Sequence, residues 1–535
     1  MRVTVMRALA TALLLMVVAA CTPTTDASST SAELSAGPQA QSLGAVPADL
    51  ERFYGQSLAW TSCDEFVAEE YQRSAYLNAT LECAHFLVPV DYSDAADSDS
   101  PVLSLGVLRR KATGSARIGV VALTRGAMDL GTDLVAFASG PDKRQLNESF
   151  DLVGFDQRGM GASGPRIDCL TDDEITAMRR TDQRTATDAG LAAATAEAAS
   201  ISQGCAVKTV PPDGVDVQTY LGLIGTREAA RDLDVLRSAL GEDQLSLVGQ
   251  AYGSRVAREY AEKFPDRVRA MILDGVASPG VDQVADEHAW YAAAQQAFDE
   301  WARSCITMTY CPLTEDPARA VVEYQDLVRP LLETPLVLPD GRTLGYDDAL
   351  GGTLVGIGDK LQWPDLSNAL FALNRGDGDA LMRLADRQWG YFNGQYWDSL
   401  DAAVIAPCLD GPTPLTGEAA AQVVADGIRT APFMDSGELQ RAFPGPCDTW
   451  PEKTTLDTLA TGVPGLPPTL VISTVGDIAT PHQSGVELAA AWGVPLLTVA
   501  GTMSGGAYLQ EITCVDDVGT AFLVSGQPLA ADATC

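Results

Sequence analysis

The 535-residue sequence contains only three histidines, His85, His288 and His482, and its cysteines show no Cys-x-x-Cys spacing. A metal site is therefore not expected, and no cofactor is indicated. Basic residues are also scarce: 36 Lys and Arg face 71 Asp and Glu, a net charge of −35. Nucleic acid and anionic membrane surfaces repel so acidic a chain, so neither is expected as a partner. The apolar run from Ala8 to Val18 is too short for a comfortable transmembrane helix.

That run has a different meaning in its context. Arg2 and Arg7 precede it, and Val18-Ala19-Ala20-Cys21 closes it. A basic start, a short apolar core and small residues before a cleavage point make a secretory signal, with residues 1–20 removed. A cysteine after "VAA" resembles a bacterial lipobox, which implies lipidation at Cys21 and contact with the membrane only through that anchor. Residues 21–48 are rich in Ser, Thr, Ala, Pro and Gln and lack apolar periodicity, as a flexible tether does. The expected location is the outer face of the cell membrane, with partial release.

Eleven cysteines less Cys21 leave an even number in an oxidising compartment. Nearest-neighbour pairing gives Cys63–Cys83, Cys169–Cys205, Cys305–Cys311, Cys408–Cys447 and Cys514–Cys535, although spacing alone does not fix connectivity. Apolar residues make up 46% of the chain and charged residues 20%, enough for a substantial core. Short runs rich in Val, Ile and Leu recur at Val102–Leu108, Ile118–Leu123, Phe150–Phe155, Leu245–Val248, Val268–Leu273, Leu470–Val475 and Pro495–Val499. Without polar alternation they suit strands buried on both faces of a parallel sheet. Helical spacing follows at Thr226–Leu240, Arg255–Phe264 and Trp363–Leu373, so the class is α/β. The interval between Leu273 and Leu470 far exceeds an ordinary crossover and reads as a mainly helical lid. The expected division is a core at 49–275 and 465–535, with the lid at 276–464.

Leu245–Arg255 reads LSLVGQAYGSR, a strand, the turn Gly249-Gln250-Ala251-Tyr252-Gly253, and a helix. This is the G-x-S-x-G nucleophile elbow with alanine in the place of serine. Together with FDLVGFDQRGMGASGP (150–165), YAEKFPDRVRAMILDG (260–275), CDTW (447–450) and GDIATP (476–481), it resembles the secreted actinobacterial α/β-hydrolases related to tripeptidyl aminopeptidases. That group includes the lipoprotein serine proteases of mycobacterial envelopes. The resemblance covers nearly all of the chain after the tether. It implies an α/β-hydrolase fold, a mostly parallel sheet flanked by helices, with a peptide-binding cleft under a large helical lid.

The same resemblance assigns the site. Asp477 matches the triad acid, Ala251 the lost nucleophile, and Ser504 in AGTMSGGAY the lost base. Serine cannot exchange a proton near neutral pH as imidazole does. The oxyanion donors fall at the Tyr252 N–H and in the loop at Arg125 and Gly126, where one glycine remains and Asp129 adds negative charge. Loss of nucleophile, base and oxyanion loop together on a retained scaffold reads as natural decay of an enzyme. Five residues remain as candidates for rescue, the first being Ser504 as a nucleophile, with no histidine predictably beside it. His482 follows Asp477 but reads as a helix N-terminal residue facing solvent. Ser254 would point away from the attack position. His85 sits in an apolar strand, and His288 lies early in the lid. The reading is a non-catalytic lipoprotein that binds a peptide or envelope component, or an active relative. The alternative is a peptide or ester hydrolase working through a rebuilt site.

Overall fold

The computed structural model describes residues 46–535 apart from 48, 68–71, 126–129, 139–140, 182–183, 278–281, 315, 398–399, 412–414, 416 and 451–464. The expected signal, Cys21, nearly all of the tether, and Gly126 with Asp129 lie outside the described residues.

Nine strands form one sheet: β1 Leu81–Pro89, β2 Val102–Arg110, β3 Gly119–Thr124, β4 Phe150–Phe155, β5 Leu245–Gln250, β6 Val268–Asp274, β7 Thr469–Thr474, β8 Leu496–Val499 and β9 Ala533–Thr534. Their spatial order is β1-β2-β4-β3-β5-β6-β7-β8-β9. β2 is antiparallel to β1 and β4, and every other pair is parallel. Each residue of β3, β4, β5 and β7 is buried, because helices cover both faces of the parallel part. That explains why these strands appear in the sequence as unbroken apolar runs rather than alternating ones.

Helix α1 (Thr226–Ala239) follows the helical pattern of the sequence, burying Ala229, Ala230, Leu233 and Leu236 against the sheet. α2 (Gly253–Lys263) starts three residues past the end of β5 and packs on β5 and β6. Between β6 and β7 the chain builds a helical layer that contains α3 (Gln283–Cys305), α4 (Tyr346–Ile357), α5 (Trp363–Leu373) and α6 (Leu400–Asp410). This layer has its own apolar cluster around Phe298, Trp301, Tyr324, Trp363 and Phe433, with the Phe298 and Phe433 rings stacked at 4.6 Å. One residue of the sheet side, Ile478, belongs to that cluster. α7 (His482–Trp492) returns the chain from β7 to β8.

All five expected disulfides are formed. The excursion between β4 and α1, assigned by sequence to the core, packs on the lid side. Arg179 within it bonds Asp348 at 2.9 Å and Asp386 at 3.0 Å, and the Cys169 N–H donates to Asp401 at 2.7 Å. Among its described residues the segment carries no strand to fix it in the sheet, and its polar side chains find partners among the lid helices.

Candidate active site

The site lies where the parallel strands end, the edge at which open α/β sheets place their loops for chemistry. β5 ends at Gln250, and the chain reverses through Ala251 and Tyr252 into α2. Ala251 has φ +47°, a left-handed conformation that costs a non-glycine residue free energy. The flanking glycines are required by close approach. A Cβ at Gly249 would lie 2.8 Å from the Ala257 Cβ, and one at Gly253 would lie 2.4 Å from the Thr124 carbonyl carbon. The strained turn of a nucleophile elbow is thus built, with a methyl group at its tip.

The Ala251 N–H donates to the Asp274 carbonyl at 3.0 Å. The Asp274 side chain ends β6, fully buried, and accepts from the N–H groups of Ala507 and Tyr508 at 2.9 and 2.8 Å and from Gln250 Nε2 at 2.9 Å. Burial raises its pKa, opposed by these hydrogen bonds. Asp274 therefore fixes the loop after β8 against the elbow. Sequence reasoning missed this role, although a charged residue closing the apolar run MILD was its visible sign.

Asp477 follows β7 and is also fully buried. It accepts from the Thr480 N–H at 2.8 Å, the Thr480 hydroxyl at 2.6 Å and the Gly505 N–H at 3.0 Å. Burial pushes its pKa up to about 7; these hydrogen bonds oppose the rise, and Asp274 adds to it. In the unfolded chain an aspartate titrates near ~3.9, so the folded state holds the proton more tightly. Stability from this group is complete below about pH 4 and is lost as pH rises through about 7. Relative to the unaltered protein, Asp477→Asn is expected to gain a few degrees in Tm between about pH 5 and about pH 8, measured by calorimetry. A constant difference across that range would refute the assignment.

Ser504 lies on the loop after β8. Its hydroxyl donates to the Gly358 carbonyl at 3.0 Å, on the lid side. The neighbouring lid turn is joined to the same loop through Lys360 N–H to the Thr502 carbonyl at 3.1 Å. The position that faces both the elbow and Asp477 is Gly505: a Cβ there would lie 3.7 Å from the Ala251 Cβ, and its N–H reaches Asp477. Gly505 has φ +81°, a conformation that suits glycine. Ser504 Oγ accepts from the Ile478 N–H at 3.4 Å, beside Asp477, while Gly505 is the residue set between Asp477 and the elbow. The loop register comes from Asp274 binding Ala507 and Tyr508, which sequence spacing does not reveal.

The rescue candidates are engaged elsewhere. Ser254 Oγ, fully buried, donates to the Ala251 carbonyl at 2.6 Å and accepts from the Ala277 N–H at 3.0 Å. His482 opens α7, but its Nδ1 meets Ser473 Oγ at 3.0 Å, so the ring packs against β7 rather than standing free in solvent. Burial lowers its pKa. His85 on β1 contacts the Ala162 carbonyl at 3.2 Å and lies tilted against the Phe66 ring, and His288 faces Asp426 at 3.8 Å. Tyr252 turns its hydroxyl to Asp410 at the end of α6, a carboxylate that also accepts from the Thr226 N–H at 2.9 Å. Among the described residues no group of three or more His, Cys, Asp or Glu is arranged for a metal ion.

Two cavities open beside the elbow. One of about 480 Å³ lies between lid and sheet, with Trp290, Asp359, Ile478 and Ser504 among its walls. The other, of about 300 Å³, lies toward β3 and β5, with apolar and polar side chains both in its walls. Arg125, the first residue after β3, lines both.

A doubly covered parallel sheet, an elbow between β5 and α2, and an acid after β7 define an α/β-hydrolase, and the chain belongs to that family: the family's α/β-hydrolase fold model matches residues 138–499. It is 35% identical over 496 residues to the serine protease Hip1 of Mycobacterium tuberculosis, covering 90% of this chain and 91% of that one. A carboxylesterase B of the same species is 35% identical over 478 residues, with 88% of each chain covered. The tripeptidyl aminopeptidase of Streptomyces lividans is 26% identical over 467 residues, covering 85% and 83%. The relatives are therefore serine peptidases and hydrolases. No helix among the described residues is long and apolar enough to cross a membrane.

Proposed function

We propose that this chain is an exported envelope lipoprotein in which a peptidase scaffold keeps its cleft but not its hydrolytic chemistry. It binds a peptide or envelope component, or works beside an active relative. The observation that carries this reading is the methyl group of Ala251 at the tip of a fully built elbow, opposite Gly505. Acyl transfer needs a nucleophile and a base within hydrogen-bond reach of each other, and neither residue has a side-chain heteroatom. Triad members act as a unit, so a lone Asp477 confers little. Lipid attachment at Cys21 rests on the basic, apolar and small-residue pattern that ends in Val18-Ala19-Ala20.

The purified full-length protein is expected to remain unlabelled by a fluorophosphonate probe and to leave tripeptide amides intact. Labelling of the unaltered protein, traced by mass spectrometry to any of its serines, would overturn this reading in favour of a rebuilt active site.

A further inference from the structure

The larger cleft, about 480 Å³ between lid and sheet, has two charged side chains in its described walls, and both are engaged. The positive charge of Arg125 faces the buried Asp274 carboxylate. Asp359 Oδ1 accepts from the Leu361 N–H at 2.9 Å and caps the lid turn Lys360–Gln362. Neutral polar groups in the same walls are unused. The side-chain amides of Gln388, which ends the lid helix Asp379–Gln388, and of Gln510, on the loop after β8, bond no described residue. Nor does the indole N–H of Trp290 on α3. One free amide thus comes from the lid and the other from the sheet side. Leu354, Leu361, Ile478 and Met503 supply apolar surface between them. Leu361 is 78% exposed, so an apolar group of a ligand that covers it is taken out of water together with it.

A primary amide offers N–H donors and a carbonyl acceptor, the complement of a peptide group. An extended peptide displays N–H and C=O groups along both of its edges, so amides on opposite walls can bond it from two sides. A chain terminus brings a full charge instead. Moving that charge from water against walls whose own charges are engaged costs free energy without a matching gain. A neutral glycan is uncharged too, but it would set hydroxyls against Leu354, Ile478 and Met503, where they find no partner. We infer that the larger cleft holds the interior of an extended, uncharged peptide segment, its backbone bonded by Gln388 and Gln510 and an apolar side chain covered by Leu361. The occupant is a stretch within a longer chain, not a free end. The inference deepens the reading of the cleft as a peptide-binding site without hydrolysis, and it rests on that reading.

Isothermal titration of the full-length protein tests the site with Ala-Leu-Ala in three forms: acetylated and amidated, with a free N-terminus, and with a free C-terminal acid. The doubly blocked form is expected to bind at least about tenfold more tightly than either charged form, and Gln388→Ala with Gln510→Ala is expected to lose about tenfold in affinity for it. A charged form that binds as tightly as the blocked one overturns the inference and leaves the cleft a site for peptide ends. Chitotriose, an uncharged glycan, overturns it by binding more tightly than the blocked peptide. A double variant that keeps the full affinity of the unaltered protein overturns it as well. No binding by any of the three peptides overturns the peptide reading together with the inference. The peptide comparison uses the unaltered protein, so misfolding of the double variant would not leave the question open. Fluorophosphonate labelling would sink the non-catalytic reading instead, and the order of the three affinities is read separately from it.

Discussion

Ala251→Ser together with Gly505→His is expected to make the chain reactive toward a fluorophosphonate probe, at least ~100-fold faster than Ala251→Ser alone. The elbow already holds its strained backbone at φ +47°, so a serine at 251 inherits an exposed, correctly turned Cβ. An imidazole at 505 starts from a Cβ position 3.7 Å from the Ala251 Cβ, on a residue whose N–H already bonds Asp477. Asp477, with its pKa pushed up to about 7 by burial, would then gain a cationic partner and ionise when the imidazole takes a proton. The cost is a histidine at φ +81°, about 1–2 kcal/mol of backbone strain. Ala251→Ser with Ser504→His is the control. Its imidazole would project toward Gly358 on the lid, so it is expected to label no faster than Ala251→Ser alone. If the Ser504→His pair reacts and the Gly505→His pair does not, the base position lies at 504 after all.

Arg158→Met is expected to destabilise the fold by about 3–5 kcal/mol, measured by equilibrium urea unfolding. Arg158 is 1% exposed and bonds Asp232 in bidentate fashion, Nε to Oδ2 at 2.7 Å and Nη2 to Oδ1 at 2.8 Å. Its remaining N–H groups donate to the carbonyls of Val90 at 2.6 Å, Leu223 at 3.1 Å and Pro89 at 2.9 Å. One guanidinium thus joins the turn after β4, the end of β1, and the entry and body of α1. Its removal leaves the Asp232 carboxylate buried with only the Tyr92 hydroxyl, at 2.8 Å, and strands three carbonyls. A buried charge without its partner costs more than the pair contributes, so Arg158→Met with Asp232→Leu should recover part of the loss. A single-variant loss below about 1 kcal/mol would show that water reaches the site and that the pair is not structurally decisive.

The residues that set the fold act locally. Val, Ile and Leu runs such as Val121–Leu123 and Leu470–Ile472 form strands because their burial on both faces is favourable whichever neighbours cover them. Trp363–Leu373 forms a helix over the range its spacing predicts, since apolar periodicity and Pro364 in the first turn are properties of that segment alone. The elbow glycines belong to the same kind of information. The sequence by itself therefore determined seven of the nine strands and the missing hydroxyl at Ala251, while the first and last strands and the disulfide connectivity needed the folded chain. Other features needed the tertiary structure, because they depend on contacts between segments far apart in the chain. Asp274 ties β6 to Ala507 and Tyr508, and that tie turns Gly505 toward Asp477 and Ser504 toward the lid. Arg179 draws the excursion before α1 onto the lid through Asp348 and Asp386. Arg125 stands between two cavities only because β3, β5 and the loop after β8 converge there. Periodicity and local steric rules fix an element, but a hydrogen bond between residues two hundred positions apart exists only once the chain has folded.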